Sequence, residues 1–114
     1  MKMAIEQSII QNTDTTVLTV PAGKRYAITT ILVCNTYNPA AVDAGSNDTE
    51  FNLHLVKNGQ AKSDTNMIVR SLNLPAGETF TFDSEKIVLE EGDRVIFLGQ
   101  NPTNLSATVS WLEV

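Results

Sequence analysis

The tripeptide Pro-Ala-Gly occurs twice in this chain, at residues 21–23 and at residues 75–77, and both copies lie between runs that favour β-strand. Proline presets the first dihedral angle of a turn, and glycine accepts the positive φ that a type II turn requires. The sequence therefore predicts a small antiparallel β-protein with two similar corners. The copies are 54 residues apart in a chain of 114. Two similar halves of a sandwich would produce this spacing, and so would repeated use of one convenient turn.

Size and charge limit what the chain can be. A chain of 114 residues with 42% hydrophobic and 18% charged residues fits one folded domain with its own core. Its net charge of -5, with no cluster of Lys and Arg, repels phosphate backbones, so we expect no nucleic-acid partner. No stretch approaches the roughly 20 apolar residues of a membrane span, and the N-terminal residues turn polar too early for a signal peptide. We therefore expect no membrane partner and folding in a cytoplasm.

The N-terminal segment differs from the rest of the chain. Residues 1–14 carry Ile5, Ile9 and Ile10 among polar residues, a pattern that favours a short helical turn or an arm over a core strand. We therefore divide the chain into an N-terminal arm, residues 1–14, and a β-sandwich domain, residues 15–114. Such an arm would dock on a neighbouring subunit.

The remaining residues alternate between short apolar runs and turn signals. They predict about eight strands and no core helix, which indicates an all-β fold, a single antiparallel β-sandwich of jelly-roll type. Residues 38–49 form the longest predicted loop. The dipeptide Asn58-Gly59 predicts a tight hairpin whose second strand starts near Gln60, and residues 90–93 predict a second, acidic hairpin turn.

The long run of residues 25–37 changes the phase of its apolar residues. Tyr26 and Ile28 lie on one face of a regular strand, whereas Ile31 and Val33 lie on the other. A bulge would restore the register. Alternatively, the far end of the strand is covered on both faces. The second alternative makes Ile31 and Val33 outward contact residues.

The residues that usually carry chemistry are scarce. Cys34 is the only cysteine and lies in an apolar run, so it is interpreted as a buried hydrophobic residue. His54 is the only histidine, and it alternates to the face opposite Phe51, Leu53 and Leu55, which predicts a solvated or interface residue. Multi-histidine metal sites, a nucleophile elbow and phosphate-binding loops are all missing from the sequence. We expect no catalytic residues, no enzyme activity and no cofactor.

Two groups of residues rich in carboxylates are candidate sites. Asp43, Asn47, Asp48 and Glu50 offer oxygen ligands, but their spacing matches no known calcium loop, so no metal site is predicted. Residues 90–93 are interpreted as a solvated turn, because an exposed turn supplies no cleft for a pair of catalytic carboxylates.

Trp111 raises the alternative of carbohydrate recognition, because aromatic faces stack on sugar rings. However, it shares the phase of Leu105, Ala107 and Val109, which predicts a position in the core or in an interface. A carbohydrate-binding module for host-surface recognition would need this ring, or another, to be exposed.

The order of the motifs resembles that of small β-sandwich virion proteins of tailed bacteriophages, capsid decoration and neck or tail accessory proteins among them. The resemblance covers the chain from Thr15 onward. It runs from the first Pro-Ala-Gly turn through a long strand ending near an Asn, the Asn-Gly turn and the second Pro-Ala-Gly turn to the acidic Gly-Asp turn and a terminal strand. The motifs that carry it are residues 18–24, 56–59, 74–78, 87–95 and 109–114.

This resemblance implies a structural protein of the virion, assembled in the host cytoplasm. We expect a capsid decoration (cement) protein that stabilises the head by bridging major capsid subunits, or alternatively a neck, tail or baseplate component. A homo-oligomer is expected, with a trimer favoured. The predicted contact regions are the arm, the loop 38–49 and the outward residues, and the candidate interface residues are Ile5, Ile9, Ile10, Ile31, Val33 and Tyr37.

Overall fold

Eight β-strands build two four-stranded antiparallel sheets in the computed structural model, which describes residues 3–114 and the side chains of all of these except residues 84–86. Sheet 1 has the order β1-β8-β3-β6 and sheet 2 the order β2-β7-β4-β5. Two short 3-10 turns, Ala44–Ser46 and Asp64–Asn66, lie in the connections. The strands are β1 Met3–Ile9, β2 Thr15–Thr19, β3 Arg25–Asn35, β4 Thr49–Val56, β5 Met67–Leu74, β6 Thr79–Glu90, β7 Arg94–Leu98 and β8 Leu105–Glu113.

The strand pairing is nested from the chain ends inwards. β1 pairs with β8, β2 with β7, β3 with β6 and β4 with β5, all antiparallel. A long hairpin rolled so that successive strands alternate between two sheets has this order, which is that of a jelly roll. The all-β, eight-stranded sandwich predicted from the sequence is confirmed.

The core lies between the two sheets and is aromatic at several points. Trp111 stacks on Tyr26, with ring centroids 3.7 Å apart and planes 8° from parallel. Phe51 contacts Phe97 and Phe80 at centroid distances of 6.2 and 5.7 Å. Burying a large apolar side chain stabilises the fold by about 1.5–3 kcal/mol, so these residues are a main source of its stability.

A β-bulge in β3 corrects the prediction for Ile31 and Val33. The register of β3 shifts between Ile28 and Thr30 in its pairing with both neighbouring strands, which leaves Thr29 as an extra, exposed residue. The bulge restores the phase, so that Ile31 and Val33 have no exposed surface and face the core. The bulge alternative is therefore confirmed, and the expectation that these two residues point outward is wrong.

The N-terminal segment is a strand of the sandwich, so the helical turn or free arm expected from residues 1–14 is a second correction. Residues 1 and 2 of that segment lie outside the described part of the chain. β1 pairs along its whole length with β8, and the amide of Ile10 donates to the carbonyl of Leu105 at 2.9 Å. Ile10 is only 1% exposed and belongs to the core, which removes it from the candidate interface. Deleting this segment would take an edge strand and a core side chain from the fold.

The two Pro-Ala-Gly turns have the same local geometry. In both, the amide that follows the glycine donates to the proline carbonyl at 3.1 Å, and the glycine φ is +75° in the first turn and +79° in the second. Proline is therefore the first residue of each turn, and alanine and glycine occupy its two central positions, so proline does not set the dihedral that we assigned to it. Each turn carries the chain from an edge strand of sheet 2 to one of the paired strands β3 and β6 of sheet 1.

Both predicted hairpins differ from the structure. Residues 90–93 link β6 to β7, which lie in different sheets, so this turn is a corner between sheets. The turn at Asn58-Gly59 forms, with Gln60 N donating to Lys57 O at 3.0 Å, but β5 begins at Met67. The intervening residues contain the 3-10 turn Asp64–Asn66, which contacts β4.

Candidate interaction surfaces

The outward side of β1, β8 and β3 forms a surface on which Arg25, at the start of β3, is the one charged side chain among the described residues, and we call it the sheet 1 surface. Its most exposed apolar residues lie on the edge strand, where Met3, Ile5 and Ile9 are 75%, 56% and 44% exposed. Hydroxyl side chains fill much of the centre. Alternation relative to the buried core residues assigns to it Met3, Ile5, Gln7 and Ile9 of β1, Ser106, Thr108, Ser110 and Leu112 of β8, and Ala27, Thr30, Leu32 and Cys34 of β3.

Hydrogen bonds between side chains order this surface. Gln7 Nε2 donates to Thr108 Oγ1 at 3.1 Å, and the hydroxyls of Thr29 and Ser110 lie 2.5 Å apart. A shallow groove of about 350 Å³ lies beside β1 and is lined by Met3, Ala4, Ile5, Thr29, Ser110 and Trp111. The surface therefore combines an apolar stripe along one edge with a fixed pattern of hydroxyl groups.

Among the side chains that the structure describes, charged residues of this face lie at the start of β3 and along the bordering strand β6. Arg25 pairs with Glu90 at 3.3 Å across the ends of β3 and β6, and Asp83 lies opposite Thr30. Val88 of β6, which is 49% exposed, is an apolar residue between the Arg25–Glu90 pair and Asp83. The centre of the face thus has no charge to desolvate when another molecule covers it.

The outer face of sheet 2 is covered in part, over β4 and β7, by the chain itself. Val56 and Ile96 are 1% and 5% exposed, although they lie on the face opposite the core residues Leu53 and Phe97. The cover is the segment 57–66. It is held by an ion pair between Lys62 and Asp14 and by a hydrogen bond from Arg94 Nη2 to the carbonyl of Gln60, 2.5 Å long.

His54 lies under this cover. It pairs with Ile96 on the outer face, which confirms the predicted alternation, but it is 3% exposed and so is not solvated. Its Nδ1 has no hydrogen-bond partner within the described residues. Burial lowers the pKa of His54, and the Lys62 cation lowers it further against the opposing effect of Asp14 and Asp64. The neutral imidazole is therefore the form that the fold accommodates.

One end of the sandwich is organised by a buried amide. Asn35, with no exposed surface, donates through Nδ2 to the carbonyls of Asn47 and Leu74 at 2.8 and 2.9 Å. Its Oδ1 accepts the amide of Tyr37 at 3.0 Å. This side chain ties the loop between β3 and β4 to the second Pro-Ala-Gly corner. The sequence places an Asn at the end of the long strand but does not indicate this role.

The loop of residues 36–48 holds a fixed conformation around an apolar tip. The hydroxyl of Tyr37 donates to Asp43 Oδ1 at 2.6 Å, a bond that raises the pKa of the tyrosine. Asn47 Nδ2 donates to the carbonyl of Asp43 at 2.9 Å. Val42 stands between these bonds with 107% relative exposure, so a constrained loop presents an apolar side chain to solvent.

The oxygen-rich residues of this loop do not converge. The carboxylate of Asp43 accepts from Tyr37, while Asp48 Oδ2 accepts from Asn73 Nδ2 at 3.1 Å. Among the residues that the structure describes, no group of three or more His, Cys, Asp or Glu is placed to hold a metal ion. Within residues 3–114 no helix has the length and apolar character of a membrane span.

The acidic turn at residues 90–93 has a structural carboxylate. Asp93 accepts the amide of Asn58 through Oδ1 and the amide of Glu90 through Oδ2, both at 2.9 Å. Gly92 also packs against Asn58, and the amide of Gly92 donates to the carbonyl of Val20 at 2.9 Å. This turn therefore joins the first corner to the Asn-Gly turn, a role that its sequence did not reveal.

Aromatic side chains do not form an exposed platform. Trp111 is 4% exposed and lies against Tyr26, as its phase predicted. None of the seven aromatic residues, all within the described chain, is classed as exposed. The exposed aromatic ring that a carbohydrate-binding module would need is therefore not found among the described residues.

The structure places the predicted interface residues in three locations. Ile5 and Ile9 lie on the sheet 1 surface, and Tyr37 lies in the loop of residues 36–48. Ile10, Ile31 and Val33 are core residues. Sequence reasoning missed Val42, although an apolar residue inside a polar loop was a usable signal.

Comparisons with protein-family models, with curated proteins and with solved structures find no match for this chain.

Proposed function

We propose that this protein is a structural component of a tailed-bacteriophage virion, a capsid decoration protein that bridges major capsid subunits and stabilises the head. The order of motifs resembles that of such proteins, and a rigid jelly roll suits a permanent part of a particle. The observation that carries the proposal is the tip of the loop at residues 36–48. There Val42 is fully exposed on a backbone held by Asn35, Tyr37 and Asn47.

A constrained apolar tip is suited to docking in a pocket of another protein. Because the loop is already ordered, little conformational entropy is lost when it binds. Burying the valine side chain contributes about 1.5–3 kcal/mol, which is about 10-fold to 150-fold in affinity. Many identical contacts over a shell would together oppose the outward strain on its subunits.

The test uses phage particles made without this gene, to which purified protein is added back. We expect the protein to bind to the heads, as seen by immunogold electron microscopy, and Val42→Asp to weaken binding at least about 10-fold. Val114→Asp is the matched control, because Val114 is also exposed, at 57%, but lies at the C-terminus. The proposal fails if particles with the gene contain no copies of the protein.

A neck, tail or baseplate component is the second candidate, since the resemblance includes such proteins and an apolar loop tip would serve there equally. The position of the gold label decides between the two. Label distributed over the head supports a decoration protein, and label at the neck or along the tail supports the second candidate.

A further inference from the structure

We propose that the sheet 1 surface is an interface between two copies of this chain, packed face to face about a twofold axis. The inference names the partner of one surface of the proposed virion protein. It rests on residues of β1, β8 and β3 and not on the Val42 tip, so it is tested separately from attachment to a shell.

The two sheets differ in how far the chain itself covers the apolar residues on their outer faces. On sheet 2 the chain covers Val56 and Ile96 with its own segment, residues 57–66. On sheet 1 no segment within residues 3–114 covers the stripe of Met3, Ile5 and Ile9, which remains 44–75% exposed. A contiguous apolar stripe with a polar border is typical of a surface that another protein covers.

The charge pattern favours a second copy as that protein. Each chain carries a net charge of -5, so two copies repel one another over most of their surfaces. Apart from Arg25 at the start of β3, which pairs with Glu90, the outward residues of β1, β8 and β3 carry no charge, so this face is where two copies approach with the least repulsion. A strongly basic partner would instead be expected to bind elsewhere on the chain.

The polar groups of the surface are able to pair with themselves. A hydroxyl both donates and accepts hydrogen bonds, so a row such as Ser106, Thr108 and Ser110 is complementary to a second copy of the same row. A surface of carboxylates or of ammonium groups lacks this property. Twofold packing of identical patches is also the most common arrangement of homo-oligomers.

The area is that of a weak pair. The three strands β1, β8 and β3, spaced by about 4.8 Å and with about 3.3 Å per residue along a nine-residue strand such as β8, give a face of about 14 by 30 Å. The two copies would then cover about 850 Å² in total, slightly below the roughly 1,000 Å² of a stable biological interface, so association is expected only at high protein concentration. Packing of one face on its own copy closes at two chains, whereas the sequence expectation was a trimer.

The first test is the molar mass in solution by size-exclusion chromatography with light scattering, over a concentration series up to about 1 mM. We expect wild type to reach twice the 12.4 kDa mass of one chain. Ile5→Arg should shift the association at least about 10-fold to higher concentration, because it buries a charge in the apolar stripe. Ile68→Arg is the matched control, since Ile68 is 45% exposed on sheet 2 and should leave association unchanged.

A second measurement needs no variant. Cys34 lies half-buried on the sheet 1 surface and is the only cysteine of the chain. Its reaction rate with a thiol reagent should fall as wild type associates and should stay constant in Ile5→Arg. A monomeric wild type, a threefold mass, equal association of the two arginine variants, or a Cys34 rate that ignores association would each overturn the proposal.

Discussion

The two Pro-Ala-Gly corners are identical in sequence and in local backbone, yet alanine should cost far more at one glycine than at the other. Gly23 has a φ of +75° and Gly77 a φ of +79°, so alanine is strained equally at both, by about 1–2 kcal/mol. A Cβ at Gly23 would meet no atom within 4 Å, whereas one at Gly77 would lie 2.7 Å from Pro39 Cγ. Relieving that overlap should add about 1–3 kcal/mol.

The assay is urea unfolding of wild type, Gly23→Ala and Gly77→Ala. The dependence of the free energy of unfolding on urea concentration, the m-value, is compared among the three proteins to check that they unfold by the same transition. We expect a loss of about 1–2 kcal/mol for the first variant and about 2–5 kcal/mol for the second. Pro39→Gly, alone and together with Gly77→Ala, completes a double-mutant cycle. Its coupling free energy should account for most of the additional loss of stability at Gly77 relative to Gly23. Equal losses at the two glycines, or zero coupling with Pro39, would refute the packing argument.

Two further predictions concern buried polar side chains. The pKa of His54 is lowered from 6.5 in the fold, so the unfolded chain takes up a proton first and stability falls as pH drops below about 6.5. The melting temperature of wild type should therefore fall more between pH 7 and pH 5 than that of His54→Gln, and parallel pH profiles would contradict this. Asn35→Asp replaces two donated hydrogen bonds with a buried carboxylate and should cost about 2–5 kcal/mol in urea unfolding. Asn38→Asp, at an exposed Asn that only accepts a bond, should stay within about 0.5 kcal/mol, and a loss equal to that of Asn35→Asp would exclude a special role for Asn35.

The strands were predictable where one face of the strand is buried along its whole length. Leu105, Ala107, Val109 and Trp111 alternate with polar residues because β8 lies in the middle of its sheet, with one side in the core. β1 lies at the edge, and its inward side carries Glu6 and Ser8 where the sandwich opens to solvent. Polar residues on the inward side weaken the alternation of apolar and polar residues along β1. The segment therefore has the sequence pattern expected of an arm. Inward charge on an edge strand also discourages unwanted strand pairing.

The bulge and the sheet crossings needed the structure because they depend on partners distant in sequence. Thr29 is one residue among several β-branched ones, and only the shifted pairing with β6 and β8 identifies it as the extra residue. In the same way, residues 90–93 have the composition of a hairpin turn. Whether such a turn reverses the chain within a sheet or carries it to the other sheet is decided by strand pairing, which local composition does not encode.

The candidate surfaces were predicted only in part, and for a physical reason. Ile5 and Ile9 were identified as contact residues from an incorrect secondary structure, since an apolar residue exposed on an arm and one exposed on an edge strand give the same signal. Val42 was missed because its significance depends on the loop being held, through Asn35 and the Tyr37–Asp43 bond. Exposure of an apolar side chain favours binding only when its backbone is ordered beforehand.

The two outer faces show how the chain distributes its apolar surface. The connection between β4 and β5 is longer than a hairpin needs, and the extra residues cover His54, Val56 and Ile96. Had the sheet 1 surface served only as a solvent boundary, the simplest sequence would place Lys or Glu along β1, as edge strands commonly do. It carries Met3, Ile5 and Ile9 instead, while the charges of this face lie at the start of β3 and along β6. An edge that is apolar outward and charged inward disfavours strand addition but permits a second sheet to pack on its face, which is the arrangement that Ile5→Arg tests.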